Sequence, residues 1–144
     1  AYRYSNLPAV LIAALAVDAR AALIFFGLFD GAYHGPLHTG IGAAAVGLST
    51  AAVLYVLHPY TNRCMTRIRL GQNHNLGQYL FGGLAGALIG HLFFDALMYP
   101  DVTAFWPVAG NPFYGIIAPT DVYFLAAGCA FAAGPLLTWR IFRE

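Results

Sequence analysis

The sequence predicts an all-α fold: a polytopic membrane bundle of four transmembrane helices, one domain over residues 1–144. Three observations predict it. The 144-residue chain is 60% hydrophobic and only 9% charged, with a mean hydropathy of +0.65. Soluble domains carry about 25% charged residues, and a chain this short cannot hide so much apolar surface from water. Four apolar segments have close to the roughly 20 residues that cross a bilayer. The basic residues are all arginine, and a four-span layout puts nearly all of those outside the spans on one side.

Each span has its own signals. The first covers residues 7–29, led by Pro8 as an early-turn residue and interrupted by Asp18 and Arg20. It exceeds a signal-peptide core and reads as a retained helix. The second, 39–58, is rich in Gly and Ala, carries no charge and closes at Pro59. The third, 76–99, closes at Pro100 and carries His91 and Asp95. The fourth, about 117–142, has Asp121 near its start and Gly134-Pro135 as a kink candidate. Gly82, Gly86 and Gly90 are spaced to form one ridge for close helix packing in lipid. Tyr2, Tyr4, Phe29, Tyr33, Tyr55, Tyr60, Tyr99, Phe105, Trp106 and Trp139 sit near span ends, as interfacial aromatics do.

Arg3, Arg63, Arg67, Arg69, Arg140 and Arg143 fall on the side of the N-terminus, the 59–75 loop and the C-terminus. The opposite loops hold Asp30 and Asp101 and no arginine. That asymmetry predicts a multi-pass inner or plasma membrane protein with both termini cytoplasmic. A net charge of +1 gives no reason to expect a nucleic-acid partner. Cys64 and Cys129 lack CxxC spacing, which argues against a disulfide or a zinc knuckle.

The polar residues inside this apolar chain point to chemistry. His34 and His38 stand four apart, and so do His91 and Asp95; that spacing stacks two side chains on one helix face. Ionisable groups at membrane depth are costly and need partners. By helix rise, His91 lies roughly 12 Å and Asp18 roughly 16 Å below the same membrane surface. His34 and His38 look too shallow to meet Asp18 unless the 30–38 loop dips inward. Imidazole and carboxylate together suit a divalent transition metal, with zinc first among them. The expected ligands are His34, His38, His91 and Asp95, with Asp18 or Asp101 as catalytic base or orienting group. His58 and His74 read as solvated residues of the cytoplasmic side. Asp18 pairing with Arg20, Asp95 held only by Arg20 or His91, and haem on two facing histidines are the alternatives.

At these residues the chain resembles a family of predicted membrane-bound metal-dependent hydrolases, the group of the LexA-regulated inner-membrane hydrolase. The resemblance lies in His34-Gly35-Pro36-Leu37-His38-Thr39, in Gly90-His91 followed by Asp95, and in the stretch through Pro100, Trp106 and Pro107 to Gly110–Gly115. Pro8 and Asp18 match an early proline and an early acid. The resemblance implies metal binding by His34, His38, His91 and Asp95 and a hydrolytic activity. Relatives often continue the early acid with a second one; here Ala19, Arg20 and Ala21 follow.

Three functions compete. The first is a metal-dependent hydrolase acting on a lipid or lipid-linked substrate within the bilayer. The second is an accessory subunit of a larger membrane complex, with a structural or vestigial metal site and other membrane proteins as partners. The third is a proton or ion path along Asp18, His91 and Asp95.

Overall fold

The computed structural model describes residues 4–71 and 73–143. Tyr2 and Arg3 lie outside the described residues, as do the side chains of Arg140 and Arg143. The described residues are all-helical, without a strand.

Helix α1 (Leu7–Val17) starts where the Asn6 side chain accepts from the Ala9 N–H at 3.0 Å, with Pro8 in the first turn. It breaks at Asp18, and α2 (Ala19–Phe25) leaves at 45°. The first apolar segment is therefore two helices, and the break falls on its one acid. A short turn, Pro36–His38, leads to Thr39, whose hydroxyl caps α3 (Gly40–Val56) by accepting from Gly42 N–H at 2.9 Å.

Pro59 closes the second apolar segment and also opens a new helix. Helix α4 (His58–Arg67) turns away from α3 by 81°. Most of its residues are polar, so an interfacial course suits it. The 59–75 segment is thus a helix followed by a loop.

Asn75 and Gln78 form a reciprocal capping box at the start of α5 (Leu76–Leu84). The rod continues through a π-helical stretch (Ala85–Leu92) into α6 (Phe93–Met98). After it, Asn111 Nδ2 donates to the Ala96 and Tyr99 carbonyls at 2.7 and 2.8 Å, satisfying acceptors that a helix C-terminus leaves open. Helix α7 (Pro119–Arg143) follows.

The core is a three-rod bundle of α1, α3 and the α5–α6 rod. Its facing residues are small and four apart: Ala9, Ala13 and Val17 on α1, and Ala43, Gly47 and Ala51 on α3, all buried. Only Gly fits at two contacts. A Cβ on Gly83 would strike the Gly47 carbonyl, and one on Gly86 would strike Val10. Such approaches let backbones pack closely where no hydrophobic effect drives them together. The glycine ridge is graded: Gly82 and Gly86 are buried against α1, while Gly90 is exposed, with Ala14 of α1 at van der Waals distance from a Cβ built on it.

Among the described residues, two helices are long and apolar enough to cross a membrane, Leu76–Met98 and Pro119–Trp139. The count rises to four if each bent pair, α1 with α2 and α3 with α4, is one span.

Candidate metal centre

The break after α1, the turn before α3 and the far part of the α5–α6 rod meet at one end of the bundle. Each delivers a polar side chain there. Asp18 sits at the α1–α2 break, where the helix interruption frees its position. His38 ends the Pro36–His38 turn, fixed by its own N–H to Gly35 O at 2.9 Å. His91 and Asp95 stand on the rod, His91 within the π-helical turn and Asp95 in α6. A π turn widens the helix locally and often marks a functional position.

One donor atom from each of Asp18, His38, His91 and Asp95 lies within 4.8 Å of the others. His38 Nε2 is 3.2 Å from Asp18 Oδ1 and 3.4 Å from Asp95 Oδ2. His91 Nε2 is 3.4 Å from Asp18 Oδ1 and 3.1 Å from Asp95 Oδ2. The two Nε2 atoms are 3.4 Å apart.

Hydrogen bonding alone explains these distances poorly. Each Nε2 carries at most one proton yet faces three other donor atoms at nearly equal range. Ordinary N–H···O bonds cluster near 2.9–3.0 Å, and the imidazole–imidazole contact is longer still. A tetrahedral ion with bonds of about 2.0–2.1 Å sets its ligands about 3.3–3.4 Å apart. Five of the six donor–donor distances, 3.1–3.4 Å, lie at or just below that value. Two imidazoles and two carboxylates are also a donor set that divalent transition metals accept. The residues therefore fit, and the cluster can hold a metal ion.

Burial divides the four donors. His38 is 1% exposed, His91 and Asp95 14% each, and Asp18 52%. One donor is buried, two are half-buried and one is exposed. His38 Nδ1 is buried without a hydrogen-bond partner. A ring left one bond short at a cost of about 1–3 kcal/mol persists where its other nitrogen is held firmly.

The structure separates the two loop histidines. His38 dips into the bundle and reaches Asp18, while His34 stays one layer out. There His34 Nδ1 donates to the Asp101 carboxylate at 3.0 and 3.1 Å. Its ring packs 4.9 Å from that of His38 and 4.5 Å from that of Tyr99. His34, grouped with the ligands by spacing and by the family resemblance, is outside the four-donor cluster, and Asp18 is inside it. The i,i+4 rule fails for His34 because Gly35 and Pro36 take the chain out of helical geometry between the two histidines. Asp101 touches His34 rather than the cluster. Beside this pair lies a cavity of about 530 Å³, lined by His34, Asp101, Pro36, Thr39, Ile41 and Trp106 among others.

Arg20 bonds neither Asp18 nor Asp95. Its guanidinium donates to the Ala32 carbonyl in the loop above. At the other end of the bundle the sequence expectation for His74 is corrected. His74 is 9% exposed, not solvated. Asn6 Nδ2 donates to its Nδ1 at 3.2 Å. His58 is half-buried and pairs through Nδ1 with the Tyr79 hydroxyl at 2.8 Å. The polar loop around these residues hides a bonded cap, which single-residue hydropathy does not reveal.

No protein-family model, no curated protein and no solved structure matches this chain.

Proposed function

We propose that this protein is a membrane-embedded metal-dependent hydrolase acting on a lipid or lipid-linked substrate from the non-cytoplasmic side. One observation carries the reading: a four-donor cluster with one buried, two half-buried and one exposed member, near a cavity lined by His34 and Asp101. In this reading four spans cross the membrane, and both termini and the α4 segment are cytoplasmic, as the arginine asymmetry requires.

His38, His91 and Asp95 would hold the ion, and zinc suits the donor set best. A metal bound there supplies Lewis-acid polarisation and lowers the pKa of water. The remaining roles belong to the chain. Asp18 is exposed and takes the proton of the attacking water on its carboxylate. His34 lines the cavity with its Nδ1–H held by Asp101; in the imidazolium form its Nε2–H gives a proton to the leaving group and the ring returns to neutral. Asp101 orients that ring. Ile41, Pro36 and Trp106 offer apolar wall for a chain, next to the polar pair, a division typical of small-molecule sites.

The test is hydrolysis in purified nanodiscs, offered lipid esters and lipid phosphates in separate reactions. Turnover that needs metal and is lost in Asp18→Asn supports the reading. No turnover on either class by metal-loaded protein contradicts it.

The accessory-subunit reading is favoured by one specific observation. Only 6% of the apolar window of α7 is buried, against 39% for the α5–α6 rod. Co-purification from native membranes at fixed stoichiometry, with no turnover, would favour it.

A further inference from the structure

Arg20 is an unexplained cation. It lies in α2 (Ala19–Phe25), between apolar neighbours, where a charge is costly and needs a purpose. Its guanidinium rests on the 31–35 loop. A Cβ on Gly31 would lie 2.8 Å from Arg20 Nη2, and one on Gly35 would collide with the same group. Both positions are Gly, so the backbone cradles the guanidinium closely. Nη1 donates to the Ala32 carbonyl. Among the described residues, no carboxylate stands within ion-pair distance of Arg20; the described ion pairs all join His to Asp. Guanidinium has five N–H donors, and one carbonyl bond leaves most of them available.

Its position matters. Arg20 follows Asp18 by two residues, and Gly35 follows His34 directly. Gly35 also lines the cavity of about 530 Å³ that His34 and Asp101 share. The cation thus packs against Gly35, one of the residues that line this cavity. Asp101, on the same cavity, pairs with His34, so Arg20 keeps no carboxylate partner among the described residues.

We propose that Arg20 is an anion subsite that receives the phosphate group of the substrate, so that the substrate class is a phosphate-bearing amphiphile. This rests on the hydrolase reading and narrows it. Guanidinium matches phosphate through paired N–H donors, which a carbonyl bond alone does not use. Arg20 is a positioning residue: it holds the phosphate while the chemistry occurs at the metal centre.

The test measures lipid retention by native mass spectrometry from phosphatidylcholine nanodiscs doped with phosphatidic acid. A parallel arm adds inorganic phosphate to the doped nanodiscs. Cobalt binding by absorption spectroscopy runs on the same samples and reports on the metal centre and the fold. The parent should retain phosphatidic acid over phosphatidylcholine by about tenfold, the order expected of one charge-assisted pair. R20Q should lose that preference with cobalt binding unchanged, and R20K should keep part of it. Competition by inorganic phosphate would show that the headgroup alone suffices; retention without competition would show that the acyl chains are needed too. Both of those outcomes support the subsite.

A parent without preference, or R20Q with the parent's preference, overturns it. Either result with normal cobalt binding leaves the metal reading intact. Lost cobalt binding with preserved lipid preference removes the metal reading instead. If R20Q does not fold, the parent and R20K measurements still decide.

Discussion

The two halves of this chain pack their helices in opposite ways. In α1, α3 and the α5–α6 rod, small residues four apart bring backbones into contact, and Gly47 and Gly83 leave no room even for a methyl group. Helix α7 also carries Ala and Gly, yet Gly128 and Gly134 meet nothing within 4 Å of where a Cβ would stand. Val122 is its buried residue among those described, and Phe124, Phe131 and Phe142 are largely exposed. Small residues therefore do not by themselves make an interface. What distinguishes the first region is the polar cluster at its end. Charged and imidazole groups from three elements need a rigid frame to hold them within 3.1–3.4 Å of one another, and α7 carries no such demand.

This contrast can be broken by substitution. The largest effect is expected at the cluster itself. His38→Ala, His91→Ala and Asp95→Ala should each weaken metal binding at least about a hundredfold, because they remove ligands rather than supporting groups. His74→Ala should leave it within about twofold, since His74 lies at the opposite end. Elemental analysis of matched preparations checks both, and equal loss in the His91 and His74 variants would dissolve the assignment.

Next in size is the frame. Gly83→Ala should destabilise by about 1–3 kcal/mol through overpacking against Gly47. His74→Ala should cost about 1–3 kcal/mol by leaving the buried Asn6 amide short of an acceptor. Denaturation of detergent-solubilised protein reads both. Smallest is Gly128→Ala on α7, expected to be neutral or to stabilise by less than about 1 kcal/mol through helix propensity. A Gly128→Ala loss as large as that of Gly83→Ala would show that α7 is packed after all.

The legible part of the fold was hydropathy and punctuation. The run after Thr39 and the run after Asn75 each begin at a side-chain cap and end near a proline, and the helices keep to those marks. Asp18 is legible as the place where the first apolar run could break; the bend of α2 is not, since an acid there also reads as a tolerated charge. Helix α4 was hidden by Pro59, because the residue that ends one helix is also a good first-turn residue for the next. Nothing in the Ala- and Gly-rich stretch 85–92 distinguishes π from α winding.

For the site, the i,i+4 rule found His91 with Asp95 because both stay on one rod. It misgrouped His34 with His38 because a Gly-Pro pair between them changes the backbone. Asp18 could be identified as an acid inside an apolar run but not as neighbour to His38, since depth along separate helices says nothing of how far the 30–38 loop descends. Three-dimensional closure, not spacing, decides which four residues meet.

The most direct test is cobalt substitution of protein purified in nanodiscs without chelator. The account predicts about one cobalt ion per chain, with the intense visible bands of tetrahedral nitrogen and oxygen coordination. It also predicts their loss in His38→Ala and Asp95→Ala, while His34→Ala keeps the bands. Folded parent protein that takes up no cobalt, or bands that survive Asp95→Ala and vanish in His34→Ala, would contradict it.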